Sequence, residues 1–269
     1  MDLKNTKIAI IGGGNIGGAI VKGLLRSGEV PASNITITRR NISRITEFSD
    51  LGVKTMEDNN LAVSTSDIII LAVLPSQLMG IVDSLKDSIK KEKHIVVSVV
   101  TAFNLQEIGQ RLEAGVPVVR VMPNTAAAVG ESMTCLCANP EHQESLEKVK
   151  SVFDKIGSTL IIAENMMSSA TILGACGIAF FMRYIRAASQ GGIQVGFHAA
   201  DAQLIAAQTA RGATSLLLES GNHPEREIDK VTTPMGCTIA GLNEMEHNGL
   251  SSALIKGIVL SYNELNKLK

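Results

Sequence analysis

The residues best suited to chemistry near the start of the chain are three glycines, Gly12, Gly14 and Gly17, spaced G-x-G-x-x-G. They follow an apolar run, Lys7 to Ile11, that reads as a buried strand, and they precede a helix that ends near Ser27-Gly28. In that setting the first glycine permits a tight turn, the second lets backbone approach a pyrophosphate, and the third lets strand and helix pack closely. Helix-start N–H groups, at Asn15 and Ile16, would then face the anion. A glycine-rich turn without a ligand is the plainer alternative. The strand–turn–helix context favours a dinucleotide.

The next strand, "NITITRR", selects among dinucleotides. An acid near its end would hold a ribose 2′-hydroxyl, whereas an arginine there suits a 2′-phosphate. Here the strand runs into Thr38-Arg39-Arg40, with no acid until Glu47. A guanidinium fork matches a phosphate bidentately, so Arg39 and Arg40 favour NADPH, with NADH as the alternative and a solvated basic turn as the plainest case. Two later strand-end loops, Ala72 to Gln77 and Val121 to Ala127, should complete the cleft. In the second, Pro123 stiffens the turn and Asn124 and Thr125 offer donors and acceptors toward the nicotinamide; an ordinary Pro-Asn turn has the same composition.

Far along the chain lies a second candidate, "VTTPMGCTIAGLNEME", Val231 to Glu246. Thr233-Pro234 ends one helix, because the residue before proline is pushed out of the helical region. Gly236 allows close backbone approach, and a new helix is expected from about Ile239. Its first N–H groups lack intrahelical partners and carry the positive end of the helix dipole, so a carboxylate could dock without a basic side chain. Alternatively Thr238 is an N-cap, worth about 1 kcal/mol. The two roles are compatible.

Other chemistries find no support. The histidines, His94, His142, His198, His223 and His247, are scattered, and no Ser-His-Asp arrangement, HExxH or paired-carboxylate motif occurs. Cys135, Cys137, Cys176 and Cys237 lack the spacing of a metal site or a secreted disulfide framework, so no metal is expected. A net charge of -1 advertises neither nucleic acid nor an anionic membrane as partner. No signal-peptide pattern follows Met1, and a cytoplasmic location is expected.

The elements that must position these residues fall into two halves of the 269-residue chain. Up to about residue 163, apolar strands at "NITITRR", "VKTM", "DIIILAV", "HIVVSVV" and "PVVRVM" alternate with helices, implying a doubly wound parallel sheet covered on both faces. Shorter strands near Met133 to Cys137 and Thr159 to Ile162 flank a helix from Glu141 to Lys155. From 164 to 269 the pattern is helical: Met166 to Val195, Ala199 to Ser220, Glu225 to Val231, Ile239 to Glu246 and Ser251 to Leu268. The expected architecture is α/β, a Rossmann-type domain (1–163) followed by an all-α domain (164–269). Between Met166 and Gly221 charge is confined to Arg183, Arg186, Asp201, Arg211 and Glu219, sparse against 19% for the chain. So small a helical domain cannot bury that surface alone, and an intimate homodimer is expected, or a larger oligomer built from dimers. The uncharged run Met166 to Met182 is broken by Gly174, Ala175 and Gly177, and falls short of the about 20 apolar residues of a spanning helix. Protein, not membrane, should bury it.

"GGGNIGGAI", "VMPNTAA", "AAQTARGATSLLLESGNHP" and "VTTPMGCTIAGLNEME" together resemble the pyrroline-5-carboxylate reductases over essentially the whole chain. The resemblance implies a Rossmann-type domain, a helical dimerisation domain interleaved between subunits, and NAD(P)H-dependent reduction of 1-pyrroline-5-carboxylate to L-proline, the last step of proline synthesis. It places the pyrophosphate on Gly12 to Gly17, the adenosine side against Asn59, and the nicotinamide half along Ala72, Val73, Leu74 and Pro75 with Val99, Val100 and Thr101. It assigns the ring nitrogen to the Thr238 hydroxyl and the carboxylate to Gly236, Cys237 and Thr238, with Thr233 and Asn124 also lining the substrate. It also implies that the partner subunit's helical domain completes a shared site.

Hydride transfer to a cyclic imine would explain the missing acid–base constellation. The cofactor carries the reactive group, and the protein supplies orientation and electrostatics. Some positions depart from the family pattern. Ala-Val-Lys-Pro reads Ala72-Val73-Leu74-Pro75; Ser-Pro-Gly-Gly reads Thr233-Pro234-Met235-Gly236; Gly-Ser-Gly-Pro-Ala reads Ala175-Cys176-Gly177-Ile178-Ala179; and the glycine usual after Val99 to Thr101 reads Ala102. They motivate two alternatives: a reductase of another cyclic imino acid such as 1-pyrroline-2-carboxylate, and a non-catalytic NADPH-binding regulatory protein.

Overall fold

A computed structural model of the protein describes residues 3–267. Met1 and the expected ends at Leu268 and Lys269 lie outside the described residues. The chain forms two compact units, one built from residues up to Cys176 together with the segment from Tyr262, the other from Gly177 to Ser261.

The first unit is organised by one eight-stranded sheet of order β3-β2-β1-β4-β5-β6-β7-β8. Its strands are β1 (Ile8–Ile11), β2 (Ile35–Thr38), β3 (Lys54–Met56), β4 (Ile68–Leu71), β5 (Ile95–Ser98), β6 (Val118–Met122), β7 (Ser132–Ala138) and β8 (Gly157–Ile161). Strands β1 to β6 are parallel, with β1 at the centre and pairing both β2 and β4. Fully buried runs such as Ile8–Ile11 and Ile68–Leu71 follow from cover on both faces. Alternate residues serve opposite cores: Ile8 and Ile10 pack with Ile20, Leu24 and Phe153, while Ala9 and Ile11 pack with Leu78, Val82 and Ile108.

The parallel sheet expected from the first strands is present, and the two shorter strands extend it with one change of direction. Strand β7 runs antiparallel to β6, and β8 then pairs with β7 in parallel. The link 123–131 explains the reversal, because a parallel crossover takes about a dozen residues or more. The link 139–156 is long enough, and its helix Gln143–Phe153 makes the crossover to β8.

Helices of this unit are α1 (Asn15–Ser27), α2 (Thr46–Asp50), α3 (Asn59–Ser64), α4 (Pro75–Leu85), α5 (Leu105–Gly109), α6 (Gln143–Phe153) and α7 (Met167–Ala170). After α7 the chain continues as a π-helical stretch, Thr171–Cys176, in which the buried Thr171 hydroxyl donates back to the Met167 carbonyl at 2.8 Å. Such back-bonding perturbs the helical ladder. The segment 164–176 belongs by packing to the sheet: Met167 is in the same core as Ile11 and Leu78, with Ala175 packed against that core.

The second unit consists of α8 (Gly177–Gln194), α9 (Ala199–Ser220), α10 (Pro224–Asp229), α11 (Cys237–His247) and most of α12 (Leu250–Asn266). Helices α8 and α9 pack on each other, yet within this unit the buried residues are Gly177, Ser189 and Ala202. Phe181, Val195, Leu204 and Leu218 lie exposed. One continuous helical run, Glu164–Gln194, has the length and composition of a membrane span, with Arg183 and Arg186 in its second half.

Candidate active site

Each of the first six strands delivers a loop from its carboxyl end, and in a sheet of this kind ligands bind in the crevice beside that edge where strand order reverses. The reversal lies between β1, with its neighbours β2 and β3 on one side, and β4 on the other. The assigned residues 12–17, 39–40, 72–75, 99–101 and 123–124 follow directly on these strands, and Asn59 opens the helix that follows β3. Hydrogen bonds tie the loops together. The Gly12 and Gly13 N–H groups donate to the Thr38 carbonyl at 3.2 and 2.7 Å, and the Ala72 N–H donates to the Ile11 carbonyl at 2.8 Å.

The glycine loop has the shape its spacing implies. Gly12 has φ of 113°, and a Cβ there would collide with the Ala72 carbonyl oxygen, as one at Gly17 would with the Gly12 carbonyl oxygen. Gly14 is different: beyond its own chain neighbours, no heavy atom of the described residues lies within 4 Å of the space its Cβ would occupy. It is also the N-cap of α1, with no side-chain cap and no acid in the first turn. The amides of Asn15, Ile16 and Gly17 therefore open a helix whose positive end no cap or first-turn acid neutralises. That is the electrostatic requirement for a pyrophosphate, and the open flank at Gly14 is the steric one.

Arg39 reaches this loop. Its guanidinium donates through Nη1 to the Gly13 carbonyl, and its N–H donates to the Met56 carbonyl at 3.2 Å. The side chain is half-buried, with further N–H donors beyond the one given to Gly13; Arg40 beside it is exposed. Asn59 is the first residue of α3, behind an N-cap at Asp58. Pro75 starts α4, and Leu74 before it stands 65% exposed, so the residue replacing a cation faces outward. Val99 and Val100 are buried, and Thr101 is partly exposed.

Asn124 departs from its expected orientation. It is buried, its Oδ1 accepts from the Ala126 N–H at 3.0 Å, and its Nδ2 donates to the Gly174 carbonyl at 3.1 Å. These bonds make it a strut that holds the 125–129 turn against the 171–176 segment. Thr125 is the exposed polar residue there.

The elbow in the second unit has sharper geometry than its sequence implied. Helix α11 starts at Cys237, two residues before Ile239, and its N-cap is Gly236 without a side-chain cap. Thr238 therefore does not cap the helix; it sits in the first turn, exposed. The Gly236 N–H donates to the Thr233 carbonyl at 2.9 Å, and a Cβ on Gly236 would lie 2.6 Å from Thr233 Oγ1. No acid occupies the first turn, so the amides of Cys237 and Thr238 end the helix with unneutralised positive charge.

Sequence reading missed two backbone states, at Ala102 and Met235, whose φ values of 75° and 60° are those of glycine. Their replacement of family glycines was visible, but not that the backbone keeps the glycine conformation. It also missed the ion pair between Arg120 and Glu164, 3.0 Å apart, whose carboxylate also accepts from the Leu105 N–H at 2.7 Å. Among the described residues no group of three or more His, Cys, Asp or Glu could hold a metal. Of the four free thiols, burial pushes those of Cys135 and Cys176 up and that of Cys137 up to about 11, so these three are poor nucleophiles.

Comparison with known proteins agrees with this architecture. Residues 164–268 match the family described as pyrroline-5-carboxylate reductase dimerisation, and residues 7–102 match NADP oxidoreductase coenzyme F420-dependent. The chain is 49% identical to pyrroline-5-carboxylate reductase 1 of Dictyostelium discoideum over 97% of its own length, but spans only 49% of that longer relative. It is 45% identical to pyrroline-5-carboxylate reductase 2 of the same organism, covering 99% of this chain and 94% of the relative. The crystal structure of Plasmodium falciparum pyrroline carboxylate reductase with NADP bound shares the fold, with a TM-score of 0.87 at 21% identity and 99% coverage of both chains. With identity of this degree running through both units, the chain belongs to the pyrroline-5-carboxylate reductase family.

Proposed function

We propose that the protein is a homodimeric, cytoplasmic enzyme that reduces 1-pyrroline-5-carboxylate to L-proline with NADPH, the final step of proline biosynthesis. The observation that carries the reading is the 45% identity to a reductase of that name across nearly the full length of both chains. The residues present fit a nicotinamide dinucleotide: the uncapped start of α1 beside the open flank of Gly14 suits a pyrophosphate. Gly12, Gly14, Asn15, Ile16 and Gly17 would hold that group, Arg39 and Arg40 the 2′-phosphate, and Asn59 the adenosine side. Ala72 to Pro75, Val99 to Thr101 and Pro123 would line the nicotinamide half, with Asn124 bracing the loop. When bound, the cofactor supplies the hydride.

The remaining chemistry falls to α11. Reduction adds one hydride to the imine carbon and one proton to its nitrogen. The Gly236–Thr238 turn holds the substrate carboxylate on first-turn amides, and the Thr238 hydroxyl fixes the ring nitrogen. Water supplies the proton, so no strong acid is needed. Holding the imine carbon at the hydride donor provides most of the acceleration, through proximity. The exposed apolar faces of α8 and α9 are covered by a second copy rather than by lipid, and activity depends on that assembly.

A spectrophotometric assay with 1-pyrroline-5-carboxylate and each reduced cofactor tests the reading. NADPH oxidation with L-proline as product is expected. A higher kcat/KM with 1-pyrroline-2-carboxylate would reassign the substrate, and tight NADPH binding without turnover on either ring would make the protein non-catalytic.

A further inference from the structure

The turn before α11 carries a residue that the turn itself disfavours. Thr233 accepts from the Gly236 N–H across Pro234 and Met235, and Met235 has φ of 60°. Proline second and positive φ third is the pattern of a type II turn, whose third position is filled by glycine or asparagine because other side chains are strained there. Methionine brings that strain and recovers nothing within its unit, since at 103% relative exposure its side chain touches almost nothing. It is nevertheless held at one place: immediately beside Gly236, the N-cap whose following amides carry the uncompensated positive charge of α11.

We infer that Met235 is a specificity-determining residue of the imino-acid site, its thioether chain lying over the methylene carbons of the bound ring. The inference rests on the reading of α11 as the carboxylate-holding helix. With the carboxylate on the Gly236–Thr238 amides and the ring nitrogen at Thr238, the edge of the ring away from the nitrogen is two CH₂ groups. That edge offers nothing to a polar group and suits a flexible, polarisable apolar side chain. An extra ring methylene would extend along this edge and into Met235. The residue therefore sets ring size, favouring five members over six.

The test compares kcat/KM for 1-pyrroline-5-carboxylate with that for its six-membered homologue, 1-piperideine-6-carboxylate, in the wild type and three variants. One methylene in an apolar pocket is worth roughly 10- to 200-fold. Met235→Gly and Met235→Asn, which both suit the turn, should each lower the five-to-six ratio about tenfold. Met235→Leu, which keeps the bulk, should leave the ratio within about twofold. An unchanged ratio in both the glycine and asparagine variants would overturn the inference, because relief of turn strain alone acts on stability and not on ring preference. A wild type inactive on both rings would instead sink the assignment of the site.

Discussion

Arg39 shows how a single side chain can be both scaffold and ligand. One guanidinium nitrogen is spent on the Gly13 carbonyl, which fixes the fork beside the glycine loop, and other donors remain for a phosphate. Charge-assisted hydrogen bonds contribute about 1.5–3 kcal/mol each, so Arg39→Ala should raise the KM for NADPH by tenfold or more. The KM for NADH, which lacks the phosphate, should change less than about twofold; a parallel change in both would reject the role. Thr238 is tested differently. It is exposed and does not cap α11, so Thr238→Ala should lower kcat about tenfold, the value of one hydrogen bond, while the melting temperature stays nearly constant. Undiminished turnover would leave the hydroxyl a bystander. Residue types indicated which loops form this candidate site, since glycine spacing and arginine placement constrain backbone geometry directly. They did not reveal where side chains point. The polar groups of Asn124 turn inward because its partners, Ala126 and Gly174, come from a turn and a distant segment that only the fold brings together.

Elements were legible where periodicity was long and its ends were punctuated. Helix α9 spans Ala199–Ser220 as its pattern implied, closed by Gly221 in the left-handed conformation. The reversal at β7 was not legible, because strand direction depends on loop length and pairing rather than on the strand's own residues. Nor was the π-helical stretch Thr171–Cys176, which reads as plain apolar helix. Two side-chain ties at element ends carry predictions. Glu164 opens the 164–194 helical run and meets Arg120 of β6, whose side chain is 8% exposed. Glu164→Ala would leave that buried guanidinium without its carboxylate, and thermal or urea unfolding should register about 3 kcal/mol lost. This is the low end of the usual range, because the carboxylate is partly wet. Just before β5, the buried His94 accepts the Lys90 N–H on Nδ1 at 2.8 Å, while its Nε2 has no hydrogen-bond partner among the described residues. Burial first, and the nearby Lys93 second, hold its pKa below the ordinary 6.5. The folded state therefore keeps the ring neutral while the unfolded chain protonates it. That contribution to stability is complete above about pH 6.5 and is lost as pH falls through 6.5 toward the lowered value. Melting curves between pH 7.5 and about 5 should show the loss, and His94→Asn should flatten the slope over that window; an identical slope would exclude His94 as its source.

On the scale of the whole molecule, the two units differ in self-sufficiency. The sheet unit has two continuous cores, whereas the helical unit buries Gly177, Ser189 and Ala202 and leaves large apolar side chains such as Leu218 exposed. That imbalance was legible from the scarcity of charge between Met166 and Gly221. Contacts divide the chain after Cys176 whereas the dimerisation family begins at residue 164, and one helical run spans both points. Dilution should therefore lower specific activity as dimers separate, with sedimentation and assay run on the same samples; a fully active monomer would contradict a requirement for assembly.

The order of the two units along the chain adds a consequence for synthesis. Every residue assigned to the dinucleotide precedes residue 126, and both cores are complete by Cys176. Domains fold as units from the amino terminus while the ribosome is still adding residues, at about 5–20 per second. The nascent chain can thus close its sheet, and acquire the means to capture a nucleotide, several seconds before the elbow at Thr233 is translated. The helical half has no such head start: its greasy faces wait for a sister polypeptide, so messages that keep two nascent copies close together shorten the interval in which those faces are open to water.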